Sequence, residues 1–363
     1  MTNAPSPLDF FKQNFHGAWI TQALAVAAEL GLADQLAAQP RTAAELADAS
    51  QSHLPSLYRL LRALASVGVF AEDEHHRFSL TPRAQLLRAD IPDSQRAMAI
   101  MMGAEFHAAW GQLLHSTRTG EPGFDRHYGM PFFGFMSLHP DRHAIYDAAM
   151  TGVHGVETEP MLEAYDFSSC STVADIGGGN GSTLAAILKR HPALHGILFD
   201  LPSVANRAQP LLASAGVSTR CRIVGGNFFD SVPAGADVYV LRHVIHDWQD
   251  RDAISILRNC RKAMPPHGRL LVVEMVLPPG NAPGFGKWLD LMMLLVAGRE
   301  RTQHEYRRLF TAAGLELHRV VPTTAEITLL ECIPAPSRVS HKSSVSRRAM
   351  APPPSRFALA GSA

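Results

Sequence analysis

Cysteine is scarce in this sequence, with four residues, Cys170, Cys221, Cys260 and Cys332, in 363. None forms a CxxC pair or stands near a histidine at zinc-finger spacing, which excludes a disulfide scaffold and a cysteine-built zinc module. Free thiols in a reducing compartment are expected. An excess of charge of either sign is also lacking, since 33 Lys and Arg balance 33 Asp and Glu. That balance removes the general field that draws a protein to nucleic acid or an anionic membrane, and a small organic partner is the better expectation. No apolar run approaches the roughly 18 residues of a membrane span, the longest being the about ten residues from Trp288 to Ala297, interrupted by Asp290. Met1 to Asp9 has no basic-then-apolar leader, and a cytoplasmic location is expected.

What is present is an ordinary globular composition, 46% hydrophobic and 18% charged, in a chain long enough for two domains. From Phe10 to Leu87 the spacing predicts helices. Ile20, Leu24, Ala27 and Leu30 mark the first, Thr42 to Glu45 reads as a capping box, and Leu57, Leu60, Leu61 and Leu64 share one face of another. Val69 to Ala71 and Arg77 to Leu80, around a polar tip, predict a β-hairpin, and the set is a winged helix. Such a unit raises the possibility of DNA reading. The hairpin tip carries Glu72, Asp73 and Glu74, which repel phosphate, and a dimerising role is preferred.

Asp93 to Tyr165 reads as mostly helical, with an aromatic loop from Tyr128 to Phe133. His139 and His143 flank Pro140, which predicts a turn, and no metal is expected there. From Cys170 the pattern alternates strand and helix: Thr172–Ile176, Gly196–Asp200, Arg222–Gly225, Asp237–Leu241 and Arg269–Val276 are strands of one parallel sheet, closed by a final hairpin. A continuous helix is expected from Ser203 to Ala213. The expected organisation is a winged-helix unit over 1–100, a helical linker roofing the pocket over 101–165, an α/β domain over 166–333, and a disordered basic tail over 334–363.

The strand Thr172–Ile176 runs into Asp175-Ile-Gly-Gly-Gly-Asn-Gly181, a loop whose glycines let the backbone approach a ligand. A dinucleotide G-x-G-x-x-G counted from Gly177 fails at Ser182, and a triphosphate-binding loop fails for want of a lysine. Asp200, ending the second strand, is placed to accept ribose hydroxyls.

Five ordered motifs carry a resemblance: DIGGGNG from Asp175, FDLP from Phe199, GGNFF from Gly225, HDW from His246 and GRERT from Gly298. Together, on a winged-helix front half, they resemble the class I S-adenosylmethionine-dependent O-methyltransferases of the plant caffeic acid and hydroxyindole type. The likeness is nearest to bacterial enzymes acting on polycyclic metabolites such as anthracyclines and phenazines. The resemblance implies a doubly wound, mostly parallel, seven-stranded Rossmann-like sheet, a mainly helical N-terminal dimerisation domain and a homodimer. It implies S-adenosylmethionine as methyl donor, S-adenosylhomocysteine as product, an aromatic hydroxyl as acceptor and no metal. Gly177, Gly179 and Gly181 would approach the methionine moiety, with Asp175 in the same loop. Asp200 and Leu201 would meet the ribose, Asn227 and Phe228 the adenine; the family usually has an acid where Asn227 stands. Arg242 and Met150 would also line the cofactor site, and His154 falls where plant members have a small hydroxyl residue. His246 would be the general base, oriented by Glu274 with Glu300 as a second flanking acid, while His243 matches no family base. The substrate would lie among Trp110, Phe133, Met150, Asp247, Asp290 and Met293. A histidine suits that task because a phenol near pKa 10 is a poor nucleophile until its proton is removed.

Overall fold

The computed structural model describes residues 7–336; the basic tail expected over 334–363 falls almost entirely outside the described residues. The front of the chain opens with the long helix Pro7–Glu29. Thr42 closes a capping box on Glu45 at the start of the helix Ala43–Ser50, and Leu57, Leu61 and Leu64 of the helix Leu54–Ser66 are buried as their spacing requires. Strands β1 (Arg41–Thr42), β2 (Phe70–Glu72) and β3 (Arg77–Leu80) form a small sheet in the order β1-β3-β2, packed on these helices through Phe70 and Phe78. Glu72, one of the hairpin acids, is held by the Tyr58 hydroxyl at 3.0 Å.

The middle of the chain corrects two expectations. The aromatic stretch is not one loop: Tyr128 ends the helix Gly123–Tyr128, and Phe132 begins the helix Phe132–Leu138. Pro140 does not make a turn between His139 and His143 but opens the 25-residue helix Pro140–Ala164, at a position where its missing N–H has no intrahelical partner to lose. The two histidines then diverge, His139 toward the Phe135 carbonyl and His143 toward Arg207 and Asp147.

The large sheet has seven strands in the order β11-β12-β8-β7-β4-β5-β6. They are β4 (Thr172–Ile176), β5 (His195–Asp200), β6 (Cys221–Gly225), β7 (Val238–Arg242), β8 (Arg269–Glu274), β11 (Leu315–Pro322) and β12 (Thr328–Pro334). The first five pair in parallel, and β12 runs antiparallel to both β8 and β11. The buried parallel strands are nearly all apolar because helices cover both faces. From β4 the chain winds one way to β5 and β6, then crosses back to β7 and β8. The carboxyl ends of β4 and β7 therefore flank the switch point at which doubly wound folds bind ligands. The helix expected over 203–213 is two short helices, Pro202–Ala205 and Gln209–Ser214, because Pro210 cannot continue a helix begun before it. Two further strands, β9 (Val276–Leu277) and β10 (Arg301–Thr302), pair in parallel and place Glu300 alongside the end of β8.

Candidate active site

A cavity of about 410 Å³ opens at the carboxyl ends of β4, β5 and β7. The glycine loop forms one wall. At Gly178 a Cβ would stand 2.7 Å from the Asp175 carboxylate and 2.5 Å from Leu198, so a larger residue would displace one of those side chains. At Gly179, with φ +57°, a Cβ would meet nothing within 4 Å, which leaves backbone bare to the cavity. Gly181 differs from expectation: its missing Cβ faces Leu198 and Leu212, and it starts the helix Ser182–Arg190 rather than lining the cavity.

Asp200 reaches across this loop. Its Oδ2 accepts the Gly179 N–H at 2.8 Å and its Oδ1 the Leu201 N–H at 2.6 Å, leaving a second lone pair on each oxygen. Burial pushes its carboxyl above the usual range against the pull of those two donors. Asp175 lies deeper, with Oδ2 buried and without a partner, and burial raises it to about 7. Leu201, Asn227, Phe228, Met150 and Phe133 also border the cavity, as the sequence suggested. Asn227 Oδ1 accepts the Phe229 N–H at 3.0 Å, which orients the amide.

Arg242 corrects its expected role. It lines the cavity, and its guanidinium ties down the helix Pro140–Ala164, donating to Thr158, to the His154 carbonyl and to Glu157, and to Thr183 beyond, while Nε is buried without a partner. It fixes the wall of the cavity that it borders. Sequence reasoning missed Tyr146 and Thr151, which line the cavity because the long helix brings its inward face over the loop, and Asn180 of the loop itself, which donates to Thr151 at 2.9 Å. His154 and His243 stack there at 4.3 Å, and burial holds both imidazoles well below the ordinary histidine range.

Behind Asp247 and His243 stands His246, whose side chain is 12% exposed. Its Nδ1 is 2.7 Å from Glu300 Oε1. The two expected roles of the glutamates are exchanged. Glu274 spends Oε1 on the N–H groups of Ile245 and His246, gripping the turn's backbone, while Glu300 makes the bond that orients the ring. Burial opposes charge on His246, but the carboxylates of Glu274, Asp247 and Glu300 outweigh it and lift its pKa to about 10. Nε2 faces toward Asp247 at 3.6 Å, the one ring nitrogen left for a substrate. Asp247 itself is raised to about 6 by burial.

Asp290, Met293 and Trp110 are not brought to the cavity. Asp290 Oδ1 accepts the Glu300 N–H at 2.9 Å and so steadies the orienting acid. Met293 is buried with its Cε against Gly298, and Trp110 packs in the cluster of Phe124, Met136 and Met292, because the helix Gly286–Leu295 turns its apolar face inward.

The residues present fit a nucleoside bearing a charged amino-acid end. Bare backbone at Gly179, spare lone pairs on Asp200, the unpartnered Asp175 oxygen and the Phe228 ring share one cavity.

The chain matches an O-methyltransferase domain over residues 110–316 and an O-methyltransferase dimerisation domain over 13–90. It is 48% identical to the phenazine O-methyltransferase PhzM of Lysobacter antibioticus, over 89% of this chain and 95% of that one. The crystal structure of LaPhzM superposes with a TM-score of 0.88 at 48% identity, covering 90% of this chain and 99% of that one. An O-methyltransferase from neocarzinostatin biosynthesis, solved with S-adenosylmethionine and 2-hydroxy-5-methyl naphthoic acid, superposes with a TM-score of 0.77 at 36% identity, covering 87% and 96%.

Proposed function

This chain belongs to the S-adenosylmethionine-dependent O-methyltransferase family, and we propose that it methylates a hydroxyl of a flat, polycyclic aromatic secondary metabolite, with His246 as general base. The observation that carries this reading is the 2.7 Å bond between His246 Nδ1 and Glu300 Oε1 beside the glycine-loop cavity. The bond fixes the imidazole so that Nε2 takes the hydroxyl proton, and the acids stabilise the imidazolium that forms. When bound, S-adenosylmethionine supplies an electrophilic methyl group on a sulfonium. Asp200, Leu201, Asn227, Phe228, Gly177 and the bare backbone of Gly179 hold it, and Asp175 sets the charge at its amino-acid end. Phe133, Met150 and Asp247 border the acceptor, the methionine adapting to related rings.

The exposed apolar side chains of the helix Pro7–Glu29, Phe11, Phe15 and Trp19 among them, are covered in a homodimer built by the dimerisation domain. No helix among the described residues is long and apolar enough to cross a membrane, and the enzyme works in the cytoplasm on a small molecule rather than on nucleic acid.

Labelled S-adenosylmethionine incubated with a panel of hydroxylated phenazines, naphthoates and anthracyclines tests the activity: label on oxygen and a mass gain of one methylene are expected. A different mass gain overturns it. Asp200→Ala removes the carboxylate that closes on Gly179 and is expected to weaken cofactor binding about 10- to 100-fold, read by calorimetry with S-adenosylhomocysteine. Unchanged affinity would take Asp200 out of the site.

The raised His246 pKa sets a pH dependence. Below its pKa of about 10 the free enzyme carries a proton on His246, so the base form grows as pH rises. The kcat/KM profile is expected to keep climbing well above pH 6.5 instead of levelling there. Glu300→Gln removes one stabilising charge, lowers that pKa and moves the limb toward acid. Acceptors with more acidic hydroxyls, which arrive already ionised, are expected to react faster at neutral pH.

A further inference from the structure

We infer that the buried cluster of His243, His246, Glu274 and Glu300 is a binding site for a divalent ion of the zinc class, and that occupancy shuts methyl transfer off. Glu274 is completely buried. Its Oε1 is committed to two backbone N–H groups, but Oε2 has no partner and lies 3.8 Å from His243 Nδ1 and 3.6 Å from His246 Nδ1. One donor atom from each of these three residues falls within 4.8 Å of the others.

The tautomer of His243 completes the argument. Its Nε2 is 2.7 Å from Glu157 Oε2, so the proton resides there and the Nδ1 lone pair turns toward Glu274. A carboxylate behind an imidazole is the arrangement that orients metal-ligating histidines and makes them more basic. Zinc bonds of roughly 2.0–2.2 Å to nitrogen and oxygen set tetrahedral donor-to-donor edges of about 3.4 Å, so the two edges at Glu274 Oε2 shorten by about 0.2–0.4 Å and the edge between the two imidazoles, which lies within 4.8 Å, by up to about 1.4 Å. Glu300 Oε1, 2.7 Å from His246 Nδ1, moves outward by about 0.7 Å to become the fourth ligand.

Charge favours the exchange. Glu274, Glu300 and Asp247 surround one imidazolium proton, while Arg301 is tied to Asp250 and Arg242 to Glu157. A dication entering through the cavity that His243 lines displaces that proton to solvent, breaking the Nδ1–H bond and forming an Nδ1–metal bond with no redox change. With the metal on Nδ1, Nε2 keeps its proton and cannot accept another. The inhibition therefore rests on His246 as the base, whereas binding does not, and the two are read separately.

Chelator-treated full-length enzyme is titrated with Co²⁺, whose visible bands report tetrahedral binding, and then with Zn²⁺ while methyl transfer is followed. The expected result is one Co²⁺ per chain, displaced by Zn²⁺, with activity lost at saturation and restored by EDTA. His243→Phe removes one ligand and leaves His246 in place; each variant is compared with its own metal-free rate. It is expected to weaken the ion's affinity at least about 10-fold, and His243→Gln serves if the larger ring prevents folding. Absence of the cobalt bands, or equal affinity in the His243 variants, overturns the site. Full activity at saturating Zn²⁺ with the bands present overturns the inhibition and removes His246 as base.

Discussion

His246→Ala is expected to lower kcat by about 10² to 10⁴, the range a positioned general base contributes. The substitution removes the imidazole but leaves the glycine loop and Asp200 intact, so affinity for S-adenosylhomocysteine is expected to stay near that of the parent enzyme. A loss confined to turnover separates a base from a residue that merely packs. A second signature follows from the chemistry. An acceptor that is already a phenolate has no proton to give up, so the deficit of the variant is expected to shrink as pH passes the hydroxyl's pKa. Turnover in His246→Ala within about twofold of the parent would dismiss the assignment. Glu300→Ala, which frees the ring, is expected to fall between the two because Glu274 still grips the backbone of the turn.

Arg301→Ala is expected to be the most destabilising single change at the site. The Arg301 side chain is fully buried and donates to the carbonyls of Ile245, Trp248 and Arg299 and to the Asp250 carboxylate. The carbonyls of Ile245 and Trp248 belong to the turn that carries His246. Truncation strands buried acceptors and leaves a cavity, together costing about 3–5 kcal/mol. At about 2–4 °C per kcal/mol for a domain of this size, a fall in Tm of about 10 °C is expected by calorimetry. Activity should fall as well, because His246 loses its fixed height above the sheet. Arg301→Lys is not expected to rescue, since one ammonium cannot reproduce the planar fork that serves several oxygens at once. A Tm within about 2 °C of the parent would show that the turn holds without it.

The same residue marks where sequence reading stopped. Arg301 stood in the sequence only as part of the GRERT motif, and nothing local shows that it lies at the centre of the turn after β7. The exchange of roles between Glu274 and Glu300 has a similar origin. Both acids were legible as neighbours of His246, but which one faces Nδ1 depends on the parallel pairing of β9 with β10, a contact between segments about 25 residues apart. Asp290 was read as a substrate wall because its helix is apolar, yet helical spacing does not say which face meets solvent and which meets a loop.

By itself the sequence determined the order of strands and helices, the acid-led glycine loop and the strand-end Asp200. Each is set by local rules: periodicity, the stereochemistry of glycine, and the position of a residue relative to its own strand. The tertiary structure alone decided that Arg242 fastens the long helix across the cavity wall and that Gly181 turns away from the cavity. It alone decided that His243, Glu157 and Glu274 converge beside His246. These are matters of burial and of distance between segments remote in sequence, and they are fixed only when the sheet closes and the long helix packs across it.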